Sequence, residues 1–224
     1  MKKAWIFPLT AILLLSVSSI NAQNTAEFGI KGGVTLSNFG GDKIKDLDSK
    51  NANLGFIGGI TLDLPIASNF YLFTGVEYVI KGAKYESKSG SASASLKLTP
   101  TYLQMPLHLG VKLPITDNTK VVLGVGPYFA YGIGGKVKGE GTAGGITYGD
   151  KTDFFGDNSF AKRFDVGAGI NAGLEFGKLS FSLGYDLGFL NILNKNSDNL
   201  NNQFNDSSPS LRNQSAYLTV GVRF

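Results

Sequence analysis

One histidine and no cysteine limit the chemistry open to this chain. Without Cys there is no disulfide, thiolate metal site, thiol nucleophile or lipobox. With His108 as the lone imidazole, no multi-histidine metal site can form. A general base needs a positioned partner and a path for substrate. The sequence fixes neither a Ser nor a carboxylate beside His108, so it reads as a hydrogen-bonded interior histidine. Residues 139–144 (Gly-Glu-Gly-Thr-Ala-Gly) fit G-x-G-x-x-G, but residues 145–149 open no helix to receive a pyrophosphate. That stretch reads as a flexible surface loop. Asp42, Asp46 and Asp48 alternate with Lys43, Lys45 and Lys50, the pattern of a solvated loop rather than a cation site. Asn205-Asp206-Ser207 and Asn213-Gln214-Ser215 match the glycosylation acceptor pattern, as chance matches in an Asn-rich stretch. No catalytic, cofactor or metal site is expected. Nucleic acid is excluded as a partner, because basic residues are not clustered to track phosphates.

The remaining chemistry lies in charges that share one face of alternating segments. Eight stretches near 27–37, 54–64, 70–84, 101–113, 120–135, 164–177, 178–190 and 215–224 alternate apolar with small or polar residues. In the first, Phe28, Ile30, Val34 and Leu36 share a face opposite Gly29, Lys31, Gly33 and Thr35. In the seventh, Leu179, Phe181, Leu183, Tyr185, Leu187 and Phe189 oppose Ser180, Ser182, Gly184, Asp186 and Gly188. The polar faces carry Lys31, Asp63, Glu77, Lys81, Lys112, Asp165, Glu175, Asp186 and Arg223, while the apolar faces carry no charge. A soluble barrel keeps its apolar face inside. Here the glycines and charges share one face, and Leu, Ile and Phe the other, which is the polarity of a membrane barrel. Near-equal opposite charges facing one lumen are expected to form a paired network, since an unpaired buried charge is costly. Lys31, Lys81 and Arg223 are its basic candidates and Glu77, Asp165 and Asp186 its acidic ones. Registers inferred from the short turns put Gly169 beside Asp186, Ser180 beside Glu175 and Ile57 beside Glu77. None is a counter-charge, so partners are expected from across the lumen.

Composition and connections agree with this. Gly makes up 30 of 224 residues, roughly double the usual share. Aromatics reach 12%. Short turns at residues 65–69, 114–118 and 177–178 alternate with long polar connections at 38–53, 85–100, 136–163 and 191–214. That is the asymmetry of an outer-membrane barrel. Met1-Lys2-Lys3, an apolar run from Ala4 to Val17, and Ile20-Asn21-Ala22 form a cleavable signal peptide over 1–22. The barrel domain then covers 23–224, with 19 basic against 17 acidic residues. The fold class is all-β: an eight-stranded antiparallel up-and-down transmembrane barrel behind a signal peptide. Tyr71, Phe73, Tyr102, Gln104, His108, Tyr128, Glu77 and Lys81 are expected to plug its lumen.

Five segments carry a family resemblance: Phe28 to Gly33, Glu77 to Gly82, Thr101 to Leu109, Val125 to Gly132, and Gly184 to Ile192. Together they resemble the outer-membrane β-barrel domain common in Bacteroidetes, often called PorT-family, with an architecture similar to the small OmpA/OmpX-like barrels. The family's fourth strand usually reads Tyr-Leu-Glu-Ile-Pro-Leu; here Gln104 and Met105 replace Glu and Ile, and His108 stands where an aliphatic residue is common. The resemblance implies the outer membrane of a Gram-negative bacterium and an eight-stranded fold. The C-terminal strand ending in Phe224 resembles the signal read by the barrel-assembly machinery during biogenesis. The expected role is a non-enzymatic structural or interaction scaffold displaying four surface loops. Its expected partners are outer-membrane lipid, lipopolysaccharide and an unidentified protein at the loops. The alternatives are an accessory component of a secretion or gliding system, and a lipid-modifying outer-membrane enzyme.

Overall fold

Period-two alternation folds into one closed antiparallel sheet. The computed structural model describes residues 25–40, 50–89, 92–143, 146–155, 161–192 and 211–224. Its strands are β1 (Glu27–Gly40), β2 (Lys50–Ala67), β3 (Phe70–Ile80), β4 (Ala83–Ser89), β5 (Ala92–Thr116), β6 (Thr119–Ala143), β7 (Ile146–Asp153), β8 (Phe164–Phe176), β9 (Leu179–Gly188) and β10 (Arg212–Arg223). Pairing runs β1–β2–β3–β5–β6–β8–β9–β10, and β10 closes onto β1 from Gly29↔Arg223 to Gly40↔Arg212. Of the ten strands, β4 continues β3 and β7 lies beyond β8 along β6, which leaves eight around the barrel. Residues 1–22, read from sequence as a signal peptide, residues 42–48, Asn205 and most of the 191–214 connection lie outside the described residues.

The apolar face points out. Phe28, Ile30, Val34, Leu36, Ile170, Leu183 and Val220 are all exposed, while Thr35, Glu77, Asp165 and Asp186 are buried. Exposed aromatics gather near both ends of this surface, with Phe28, Phe70, Phe176 and Phe224 low, and Phe56, Tyr78, Tyr131 and Phe164 high. Lipid solvates such a band, and a Lys or Arg at its midplane would cost about 2–4 kcal/mol. The three short turns fall at Ser68-Asn69, Asp117-Asn118 and Gly177-Lys178. Gly177 has φ +53°, a backbone state that only glycine adopts freely.

Two expected loops are β-structure instead. Residues 85–89, 92–100, 136–143 and 146–153 belong to β4, β5, β6 and β7, which stand beyond the barrel as one sheet, with the start of β2 paired along β4. The G-x-G-x-x-G stretch accordingly lies on β6 as far as Ala143. The large apolar residues of these segments are few (Tyr85, Leu96, Leu98, Val137, Ile146 and Tyr148), so hydrophobic alternation is too sparse to mark their period. The ladder changes character at their base: the β5–β6 register shifts between Thr101 and Tyr102. Gly82 (φ +151°) and Gly135 (φ +153°) flank Pro100 at this level.

The inferred registers separate in a similar way. Gly169↔Asp186 and Glu175↔Ser180 pair as expected. Glu77, however, sits opposite Gly59 and not Ile57. The turn sits at Ser68-Asn69 and not around Ala67, and the irregularity between Pro65 and Ala67 takes back one residue, so the ladder runs two residues off the inferred register.

Candidate functional site

The lumen is filled in three tiers. At the lower end, β1 and β2 place Glu27 directly opposite Asp63. Two facing carboxylates repel, and Lys112 from β5 inserts between them. Its Nζ lies 2.6 Å from Glu27, 2.7 Å from Asp63 and 3.1 Å from Glu175. Arg223 completes the cluster, with Nη1 2.5 Å from Glu27 and 2.7 Å from Glu175, while Nη2 donates to the Gly177 carbonyl. The Tyr71 ring centroid is 4.8 Å from Lys112 Nζ. The carboxylates of Glu27, Asp63 and Glu175 lie close enough together to hold a cation. The Lys112 ammonium already stands among them.

In the middle tier Lys31 and Glu77 pair at 2.6 Å. Gly59 is the register partner of both, so the two charges flank a glycine on the strand between them. A Cβ on Gly59 would lie 2.2 Å from the Val76 carbonyl oxygen and 2.8 Å from Glu77 Cα. The pair therefore forms along the wall, two strands apart, and not across the lumen. Asp186 accepts a hydrogen bond from Gln104 Nε2 at 2.8 Å. His108 Nδ1 meets Asn171 Oδ1 at 3.1 Å. A cavity of about 90 Å³ remains between these groups, lined by Lys31, Glu77, His108, Asp186 and their neighbours.

The upper tier joins charge to aromatic rings. Asp165 accepts from Tyr128 Oη at 3.0 Å and from Asn213 Nδ2 at 2.7 Å. Lys81 Nζ lies 4.4 Å from the Tyr128 centroid and 5.6 Å from that of Tyr102. Cation–π attraction strengthens when the pair is desolvated, as it is here. Among the described residues Lys81 makes no ion pair. Above it sits an apolar cap of Phe39, Tyr85, Leu98, Phe154, Phe155, Ile192 and Leu211. Phe154 stacks on Phe39, and Phe155 meets Tyr102 and Phe154 edge-on. A Cβ on Gly132 would lie 2.4 Å from the Phe155 ring. Burial among these groups pushes the Tyr85 phenol up to about 12.

Of the six charges singled out from sequence, only Lys31 and Glu77 pair with each other. Arg223 is ion-paired, but to Glu27 and Glu175. Asp165 and Asp186 are held by neutral donors. Lys112, Asp63 and Glu175 had been assigned to the inward face but not to the network. Glu27 was missed, although it shares the parity of Gly29 and Lys31. Phe154 and Phe155 were missed because they follow β7 in a stretch read as loop. Asn213 is buried against Asp165, which removes it as a glycosylation acceptor. Phe224 is exposed beside Phe28, whose carbonyl accepts its N–H at 2.8 Å.

Residues 21–194 match the family described as outer membrane protein beta-barrel domain. No curated protein sequence matches the chain. Among solved structures, Ail, the attachment invasion locus protein of Yersinia pestis, is 14% identical with a TM-score of 0.38, covering 90% of this chain and 100% of its own. Neisserial surface protein A is 13% identical with a TM-score of 0.39, at the same coverage. OprG from Pseudomonas aeruginosa is 13% identical with a TM-score of 0.37, covering 89% of this chain and 96% of its own.

Proposed function

The chain belongs to the outer membrane protein beta-barrel domain family, and from that premise we propose that it is a closed membrane scaffold acting through what it displays outside the membrane. One observation carries this reading: the lumen is filled along its length, by the Lys112 cluster below and the Phe154–Phe155 cap above. Nothing the size of a solute passes such a packing, so the working surface is the outside. There the β4–β7 sheet offers its outward face and the outer edge of β7, which among the described residues pairs only with β6.

This reading assigns no catalysis. His108 is 4% exposed inside the wall, whereas a lipid-modifying enzyme needs its acid or base within reach of lipid. The partners are outer-membrane lipid and lipopolysaccharide around the barrel, a protein at the protruding sheet, and the barrel-assembly machinery reading Phe224. Export by the 1–22 signal peptide and membership of the PorT-like Bacteroidetes branch complete the proposal, on the sequence segments that carry them.

The absence of native cysteine makes orientation testable. With Glu140→Cys, on β6 beyond the barrel, intact cells should react with a membrane-impermeant maleimide. With Asp117→Cys, in a short turn, reaction should require a permeabilised outer membrane. The opposite pattern would overturn the reading.

A further inference from the structure

The outward face of the protruding sheet carries a row of lysines at one height. Register places Lys84 of β4 opposite Lys97 of β5, Lys97 opposite Lys138 of β6, and Lys138 opposite Lys151 of β7. Like charges directly opposite one another on neighbouring strands destabilise a sheet. A merely solvating face would alternate sign, as one step lower, where Lys136 pairs with Asp153. Glu140 and the position of Glu86 stand one step further out, both opposite Ser95. Lys97 and Lys138 are exposed, and neither has an acidic partner among the described residues.

The position of the row indicates what would cover it. The face is the upward continuation of the lipid-facing wall, which ends in Ile80, Leu103, Tyr131 and Ile133. Lys84 follows Ile80 by four residues, about 13 Å along a strand and about 10 Å in height for a tilt near 40°. Whatever stands above the acyl chains at this wall is the head of the same lipid. We infer that Lys97 and Lys138, at the centre of this row, bind the phosphates of an outer-leaflet glycolipid headgroup, an inference that rests on the membrane-scaffold reading.

The test uses the full chain in detergent micelles, titrated with bisphosphorylated lipid A and followed by native mass spectrometry. Wild-type protein should prefer this lipid to its dephosphorylated form, and added salt should weaken binding. The double variant Lys97→Gln/Lys138→Gln should bind about twenty- to thirtyfold more weakly, and Lys97→Arg/Lys138→Arg should bind as wild type. Equal binding by wild type and the Gln variant, or indifference to the phosphates, would overturn the inference. So would Lys97- and Lys138-dependent binding of heparin without lipid A preference, which would make the row a site for a soluble sulfated glycan. Each protein is first run on a gel heated and unheated. A wild type with no heat-dependent shift would remove the barrel reading and this inference with it. A shift retained without lipid preference would remove the inference alone.

Discussion

The two ends of the lumen are closed by different chemistry. Below, Lys112 and Arg223 neutralise Glu27, Asp63 and Glu175, and every one of these residues lies on a barrel strand. Above, the seal is mostly aromatic and aliphatic, and Phe154, Phe155, Ile192 and Leu211 come from outside the strands. The lower closure is thus fixed by sheet register alone. The upper one also depends on how connecting segments fold back into the mouth. Buried ions gain little over apolar packing while intact, but lose heavily when one partner goes. Apolar caps lose in proportion to the volume removed. The lower end should therefore break sharply and the upper end gradually.

Lys112→Ala should have the largest effect. It leaves Asp63 without its cation and Glu27 and Glu175 with Arg223 alone, and should cost about 3–5 kcal/mol, read as a lower temperature for loss of the folded band on a heat-modifiable gel. Replacing Phe155 by Leu in the cap should cost about 1–2 kcal/mol, with the same readout. A fall as steep as that of Lys112→Ala would erase the contrast between the ends. The middle tier sharpens it further. Glu77→Ala and Lys31→Ala should each destabilise more than the double change, with a coupling of about 1–2 kcal/mol in a double-mutant cycle. Identical transitions in single and double variants would show that the two charges are solvated separately.

Smaller effects separate surface from lumen. Lys97→Gln and Lys138→Gln should leave the transition within about 0.5 kcal/mol of wild type, as surface changes do. Removing Phe224 should lower the yield of folded barrel in cells while leaving the transition of what does fold nearly unchanged. A shifted transition would assign Phe224 to stability rather than to assembly.

The sequence shows those parts of the molecule that one lipid-facing side makes periodic. β1, β8 and β9 were readable because Phe28 to Leu36, Phe164 to Phe176 and Leu179 to Phe189 alternate without interruption. The β4–β7 sheet was harder to read: Ser93, Ser95 and Lys97 do alternate with Ala94, Leu96 and Leu98, but on the facing strand residues 136–143 hold Val137 as the one large aliphatic side chain. Parity alone gave the inward charges, and Glu27, the first residue of the first stretch, shares the parity of Gly29 and Lys31. Pairing needed more than parity. Lys31 meets Glu77 only because Gly59 stands between them, and that register depends on an irregularity at Pro65/Ala67 that no turn motif announces. The return of Phe154 and Phe155 into the mouth is a tertiary choice with no local signature.

The closed lumen is the central claim, and single-channel recording tests it most directly. Refolded full-length protein in planar bilayers should show no stable conductance steps, because the lower charge cluster and the upper aromatic cap leave only a small polar cavity between them. Stable steps on the nanosiemens scale from correctly folded, heat-modifiable protein would contradict the account and make the barrel a channel.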